Sequence, residues 1–247
     1  MANFVHDYLK KIGGISMADD GLVVLSAGNI SNAYFNCRGL NDKDGDKYTH
    51  ANLLTRVGDE ILDGFNAFGN ATAIIGIKTT GATLAKFAGD SDLSVNVYYI
   101  NPHDEKNGDE LQFYSDVDCT TPIPAEDLTG ETVVLVDDVK TSGKAFKYGA
   151  KLCKKHLISV VGAIVLVDRT PGEPVDGLAD VSFVSLYEVG SDFVFISEPP
   201  VHGEGLLAPN EDGTPVTIRL DLGHASEKDW PTLYPQYNYV GEPNFKG

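Results

Sequence analysis

The sequence is poor in cysteine, in positive charge and in long apolar runs. Its 247 residues include three cysteines, one tryptophan and two methionines. Cys37, Cys119 and Cys153 are odd in number, widely spaced and without a CxxC pair. That argues against a disulfide framework and against a zinc site. It reads as free thiols in a reducing, cytoplasmic setting. No apolar stretch approaches ~18 residues, so no membrane span is expected. The N-terminus, MANFVHDYLKKIGG, is amphipathic and lacks the apolar core of a signal peptide. No internal repeat or low-complexity tract is visible. Lys and Arg total 19 against 36 Asp and Glu, a formal charge of −17. Such a balance argues against a nucleic acid partner. It also repels any polyanionic ligand, which would need local basic residues or a divalent cation.

What is present is a 42% hydrophobic chain, long enough for one large domain with an appendage. The most informative stretch is Val133–Ala145, VVLVDDVKTSGKA. Val133, Val134, Leu135 and Val136 form a short β-branched run suited to a buried strand. Asp137 and Asp138 follow, then Val139, Lys140, Thr141, Ser142 and Gly143, and a helical pattern opens at Lys144. A strand that presents acids, turns through hydroxyls and starts a helix builds a ligand edge in an open α/β sheet. Loop N–H groups ahead of a helix suit a phosphate. Thr141 and Ser142 add hydroxyl donors, and Gly143 lets the backbone approach. Each hydrogen bond to a charged phosphate is worth roughly 1.5–3 kcal/mol. The carboxylates suit vicinal ribose hydroxyls or waters on Mg²⁺. The Walker pattern GxxxxGK[ST] is absent.

VVLVDDVKTSGKA resembles the phosphoribosyl diphosphate (PRPP) motif of type I phosphoribosyltransferases, and the wider chain is most similar to the orotate phosphoribosyltransferases. The resemblance spans about residues 1–195. It implies a three-layer α/β domain with a mostly parallel sheet. The strands would be near 71–77, 95–100, 132–137, 160–168 and 181–186, with a small hood near 20–40 and a flap near 101–114. Residues 196–247 lie outside it and read as an extension packing on the same domain.

The site residues follow from that resemblance. Asp137 and Asp138 would hold the ribose hydroxyls, and Lys140, Thr141, Ser142, Gly143 and Lys144 the 5′-phosphate. A second strand, ATAIIGI, empties into Lys78, Thr79, Thr80 and Gly81, with a short helix expected over 82–88. The corresponding turn in the family holds the diphosphate; a plain strand–helix turn with a surface lysine fits the same residues. Ser31, Tyr34, Phe35, Asn36 and Arg38 match the family segment that covers the base, with Tyr34 and Phe35 against it. A half-buried strand with the two rings on opposite faces fits equally. Arg169, in the strand end Asp168-Arg169, would meet the carboxylate side of the base, because an Arg fork suits a planar carboxylate.

The family flap opens with basic residues. Here the opening pair is Asn101-Pro102 and the later lysine is Glu105, which leaves His103 and Lys106 as the catalytic cations, both out of register. Asn107-Gly108 signals a hairpin turn, so a two-stranded flap returning through 111–114 is expected. The family usually has a lysine before the hood turn, where Ser26 or Ala27 stands here.

The implied reaction joins PRPP and orotate, with Mg²⁺, to give orotidine 5′-monophosphate and diphosphate. Two alternatives remain: the same transfer to another base, and a non-catalytic PRPP-binding regulatory protein. A homodimer is implied by analogy.

Overall fold

The computed structural model describes residues 4–11, 14–17, 22–24, 30–37, 47–106, 110–190, 195–196, 215, 217–219 and 237–240, a few of them (Lys106 among these) by backbone alone. The chain divides into two compact units. One is Met1–Tyr8 with Cys37–Val189; the other is Leu9–Asn36 with Gly190–Gly247.

The chain opens with helix α1 (Phe4–Lys11), which buries Val5, Tyr8 and Leu9 at helical spacing. Four short strands follow: β1 (Ile15–Met17), β2 (Leu22–Val24), β3 (Ile30–Ser31) and β4 (Ala33–Phe35). β1 and β4 pair antiparallel. Gly14 sits between, donating to the Leu9 carbonyl and accepting from the Asn36 N–H, each at 2.6 Å.

The larger unit is a seven-stranded sheet with helices on both faces. Its elements in order are α2 (Lys47–Ala67), β5 (Ala73–Ile77), α3 (Thr80–Ser91), β6 (Asn96–Ile100), the single turn α4 (His103–Lys106), β7 (Phe113–Tyr114), β8 (Pro122–Ile123), β9 (Thr132–Lys140), α5 (Lys144–Lys155), β10 (Ser159–Asp168) and β11 (Ser182–Glu188). The order across the sheet is β11-β10-β9-β5-β6-β7-β8. The first five are mutually parallel; β7 and β8 add antiparallel at the edge.

Strand alternation sorts the core. Leu135 and Ala163 pair across β9 and β10, as do Val136 and Ile164. A Cβ at Gly149 of α5 would lie 3.1 Å from Leu135, and one at Gly64 of α2 would lie 3.1 Å from Ile164. So α5 covers one face and α2 the other, with α3 also on the second face at Gly76.

Three expectations are corrected. β9 runs on to Lys140, because β10 pairs with it as far as Asp168, so both acids lie within the strand. α3 starts at Thr80 and ends at Ser91, longer than 82–88. The first limb of the flap is a helical turn, and Phe113–Tyr114 pair with Tyr99–Ile100 as part of the central sheet. The hairpin residues Asn107 and Gly108 lie outside the described residues.

The smaller unit is completed by β12 (Phe195–Ile196), β13 (Thr217–Arg219) and β14 (Asn238–Val240), which join β2 and β3 in the order β12-β3-β2-β13-β14. Strands from the C-terminal tail therefore flank both sides of the β2–β3 pair.

Candidate active site

From the middle of the large sheet, the chain adds strands outward in two directions. β5 leads to β6 on one side, and β9 leads to β10 and β11 on the other. The strand order reverses between β5 and β9, and in such sheets ligands settle in the crevice at that reversal. Gly76 and Val136 are in register, so Lys78, just past β5, and the Asp137-Asp138 pair of β9 lie at the same end of neighbouring strands. Gly81 closes the gap. A Cβ there would lie 2.6 Å from the Val136 carbonyl oxygen and 2.7 Å from Asp137 Cα. Only glycine lets the start of α3 lie against the acids.

Asp137 is 7% exposed. Burial, then the neighbouring Asp138 carboxylate, pushes its pKa well above the ordinary carboxylate range. Its Oδ1 accepts from the Asp138 N–H at 2.9 Å, which offsets part of that rise. Asp138 is half-buried, and its Oδ1 accepts from the Val139 N–H at 2.8 Å. Beyond them the chain turns through half-buried Thr141 and exposed Ser142 to Gly143, at φ +67°, and exposed Lys144 opens α5. The first N–H groups of a helix lack intrahelical acceptors, which suits an anion.

Lys140 departs from its expected role. It is 2% exposed, and its ammonium points inward. Nζ lies 2.9 and 3.0 Å from the Asp168 carboxylate oxygens, 2.6 Å from the Thr170 carbonyl and 3.2 Å from Thr170 Oγ1. An ammonium has three hydrogens, and these partners use them all. The Lys140 side chain is therefore a structural ion pair, committed to Asp168 and Thr170.

Lys78, at the same place on β5, behaves differently. It is half-buried, and Nζ donates to the Asp118 carbonyl at 2.6 Å. That carbonyl belongs to the turn between β7 and β8. Asp116 organises the turn by accepting from the N–H groups of Thr120 and Thr121 at 3.1 and 2.6 Å. Thr79 is exposed, Thr80 is buried, and the Lys78–Thr79 peptide bond is cis.

The flap root is locked by polar contacts. Asn101 accepts from the His103 N–H at 3.2 Å and donates to Asp104 Oδ1 at 2.7 Å. Asp104 Oδ2 accepts from the Tyr114 hydroxyl at 2.7 Å, and the Tyr114 hydroxyl oxygen accepts from Gln112 Nε2 at 2.9 Å. His103 is exposed on this turn. Lys106 ends the turn, and its side chain lies outside what is described.

Arg169 is half-buried just past β10, and its main-chain N–H donates to the Lys140 carbonyl at 3.0 Å. Burial lowers its pKa to about 10. The charges of Cys37 and Asp138 oppose that fall. The Cys37 thiol is buried and is pushed well up by burial and then by Asp138. Tyr34 and Phe35 occupy consecutive positions of β4, so their rings point to opposite faces. Phe35 is buried and Tyr34 half-buried, so only one ring can face a given ligand. Ser31 is turned inward, accepting from the Ala33 N–H at 3.1 Å. Arg38, Ser26 and Ala27 lie outside the described residues.

Sequence reasoning named Gly81 as part of its turn but not as the residue that lets α3 lie against Asp137. It missed Asp104, Tyr114 and Thr170 and read Cys37 only as a free thiol, because these matter through partners distant in sequence.

Comparison with known proteins gives the family. An orotate phosphoribosyltransferase of Aeropyrum pernix is 28% identical over 172 residues, covering 70% of this chain and 81% of that protein. One from Sulfurisphaera tokodaii is 27% identical over 184 residues, 74% of this chain and 84% of the other. The crystal structure of orotate phosphoribosyltransferase from Aeropyrum pernix matches with a TM-score of 0.53 at 27% identity, covering 74% of this chain and 93% of that one. The model of the phosphoribosyl transferase domain matches residues 48–202. With more than half of its length matched, the chain belongs to the phosphoribosyl transferase domain family, whose members are glycosyltransferases.

Proposed function

We propose that the protein transfers the phosphoribosyl group of PRPP to orotate, giving orotidine 5′-monophosphate and diphosphate. One observation carries the reading: Gly81 brings the Lys78–Thr80 turn against the Asp137-Asp138 pair at the strand-order reversal. A sugar carrying phosphates at both ends needs two such turns side by side. Orotate is favoured by the names of the relatives at 27–28% identity and by half-buried Arg169 close to Asp138.

In this reading the bond from the anomeric carbon to the diphosphate oxygen breaks as the base nitrogen bonds to that carbon. Positive charge gathers on the sugar and negative charge on the leaving group. Asp137 and Asp138 orient the ribose hydroxyls. Thr141, Ser142, Gly143 and Lys144 hold the 5′-phosphate. Lys78, Thr79 and Thr80 receive the diphosphate, with Lys78 exchanging the Asp118 carbonyl for it. Arg169 meets the orotate carboxylate. His103 and Lys106 supply flap charge to the departing diphosphate.

Mg²⁺ fits the donor set. Two adjacent carboxylates with no third metal-ligating group clustered among the described residues suit an ion that keeps most of its waters. Asp137 and Asp138 would accept from those waters, and the ion would neutralise diphosphate charge. We read the protein as a cytoplasmic homodimer. The three free cysteines support the first, as does the finding that no described helix is long and apolar enough to cross a membrane. The second rests on family analogy.

A second reading, PRPP binding without turnover, has one observation in its favour. Asn101 stands where the family has a basic residue, and its side chain is committed to the Asp104 lock. The test is diphosphate release from PRPP and Mg²⁺ with orotate, uracil, hypoxanthine, adenine or nicotinate supplied singly. Release with orotate alone is expected. Release with another base keeps the class and moves the specificity. Calorimetric PRPP binding without release supports the second reading, and absence of PRPP binding overturns both.

A further inference from the structure

We infer that Lys140 is a positioning residue that couples the phosphate loop to the strand end carrying Arg169, so that a phosphorylated sugar on one side tightens a carboxylated base on the other. The inference rests on the phosphoribosyl reading of the two segments. Lys140 is one residue of the 140–144 segment, yet its ammonium turns away from the loop and grips Asp168 and Thr170. Thr170 relays the grip back. Its hydroxyl donates to the Thr141 carbonyl at 3.0 Å while accepting from Lys140. Its N–H donates to Asp168 at 2.9 Å. Between the two side chains that would touch substrate, the main chain adds the Arg169 N–H to Lys140 carbonyl bond. Ser185 of β11 reaches Asp168 at 3.3 Å, and the Val189 N–H holds the Asp168 carbonyl at 2.9 Å.

Thr141 and Arg169 are therefore tied through one buried set of charged and hydroxyl groups. Lys140 and Asp168 are 2% and 3% exposed, so water does not loosen it. In a satisfied buried network each bond strengthens its neighbours, so ordering one member stiffens the rest. A ligand that fixes Thr141 also fixes the Asp168–Thr170 segment, and the coupling is reciprocal.

The experiment titrates orotate calorimetrically into the full chain, with and without ribose 5-phosphate, a sugar phosphate with no leaving group. In the parent protein the sugar phosphate should tighten orotate binding by about tenfold. Thr170→Val removes the relay to Thr141 and keeps the ion pair. Lys140→Met with Asp168→Asn removes the ion pair without leaving a buried unpaired charge. Both variants should melt as single transitions and lose the tightening to within about twofold. Tightening that persists in both folded variants overturns the inference. So does a parent protein that binds both ligands independently, which would leave the phosphoribosyl reading standing. A parent protein that binds neither ligand overturns that reading and the inference together.

Discussion

Two tetrapeptides of nearly the same sequence end neighbouring strands: Lys78-Thr79-Thr80-Gly81 after β5 and Lys140-Thr141-Ser142-Gly143 at the end of β9. Their chemistry reads alike, and their structures divide the labour. Lys78 is half-buried and rests on a turn carbonyl that a stronger anion can replace. Lys140 is sealed against Asp168. The difference lies in the flanks. β9 has β10 beside it, which sets Asp168 opposite Lys140 in register. Among the described residues, the Lys78 ammonium meets the loop between the two short outer strands β7 and β8. The glycines differ too. Gly143 supplies a left-handed backbone angle, whereas Gly81 supplies room for a neighbouring strand. Residue type fixes what a group can do, and the neighbouring strand decides which of those things it does.

The largest test of this contrast is removal of each lysine. Lys140→Ala strands the buried Asp168 charge and should cost about 3–5 kcal/mol. For a unit of this size that lowers the melting temperature by roughly 10 °C. A calorimetric scan showing a drop under about 2 °C would merge the two lysines into one class. Lys78→Ala should leave the melting temperature nearly unchanged, within about 0.5 kcal/mol. It should lower kcat/KM for PRPP by about ten- to a hundredfold, the worth of one charged hydrogen bond. Unaltered steady-state kinetics would remove Lys78 from the diphosphate site.

The glycines sharpen the contrast at smaller cost. Gly81→Ala and Gly143→Ala should each destabilise by about 1–3 kcal/mol in urea titrations. At position 143 the new methyl group meets the Val175 side chain, so adding Val175→Ala should restore part of the loss. At position 81 it meets the Val136 carbonyl oxygen and Asp137 Cα before it meets Asp137 Oδ1, so trimming that side chain should not restore the loss. Equal rescue at both positions would dissolve the distinction.

Asp137, between the two turns, gives the smallest effect. A carboxyl raised by folding holds its proton more tightly when native than when unfolded. Stability should then fall as pH rises through the window that opens near the ordinary 3.8 and extends upward. Asp137→Asn should flatten that fall in ligand-free protein, as read by melting temperature against pH. Parallel profiles for the two proteins would refute burial as the governing influence on Asp137.

Much of this architecture was legible along the chain. The runs Ala73–Ile77, Thr132–Val136 and Ser159–Asp168 are buried strands because both faces are covered, which leaves continuous apolar sequence. The acids and hydroxyls of the β9 turn could be read because their chemistry is local. Lys140 could not. Its partner lies 28 residues away, and only strand register sets the two opposite each other. The flap was read for cations, and its organising residues are Asn101, Asp104 and Tyr114, whose contacts span up to ten positions. For Tyr34 and Phe35 two readings stood open along the chain, and β4 bears out the one with the rings on opposite faces.

One edge of the large sheet, the one at β8, bears on how copies of the molecule meet. β8 is two residues long and begins with Pro122, which has no N–H to offer. A passing strand finds almost no ladder to extend there. That edge therefore resists strand addition, the usual first step toward fibrous aggregation, without needing a covering helix.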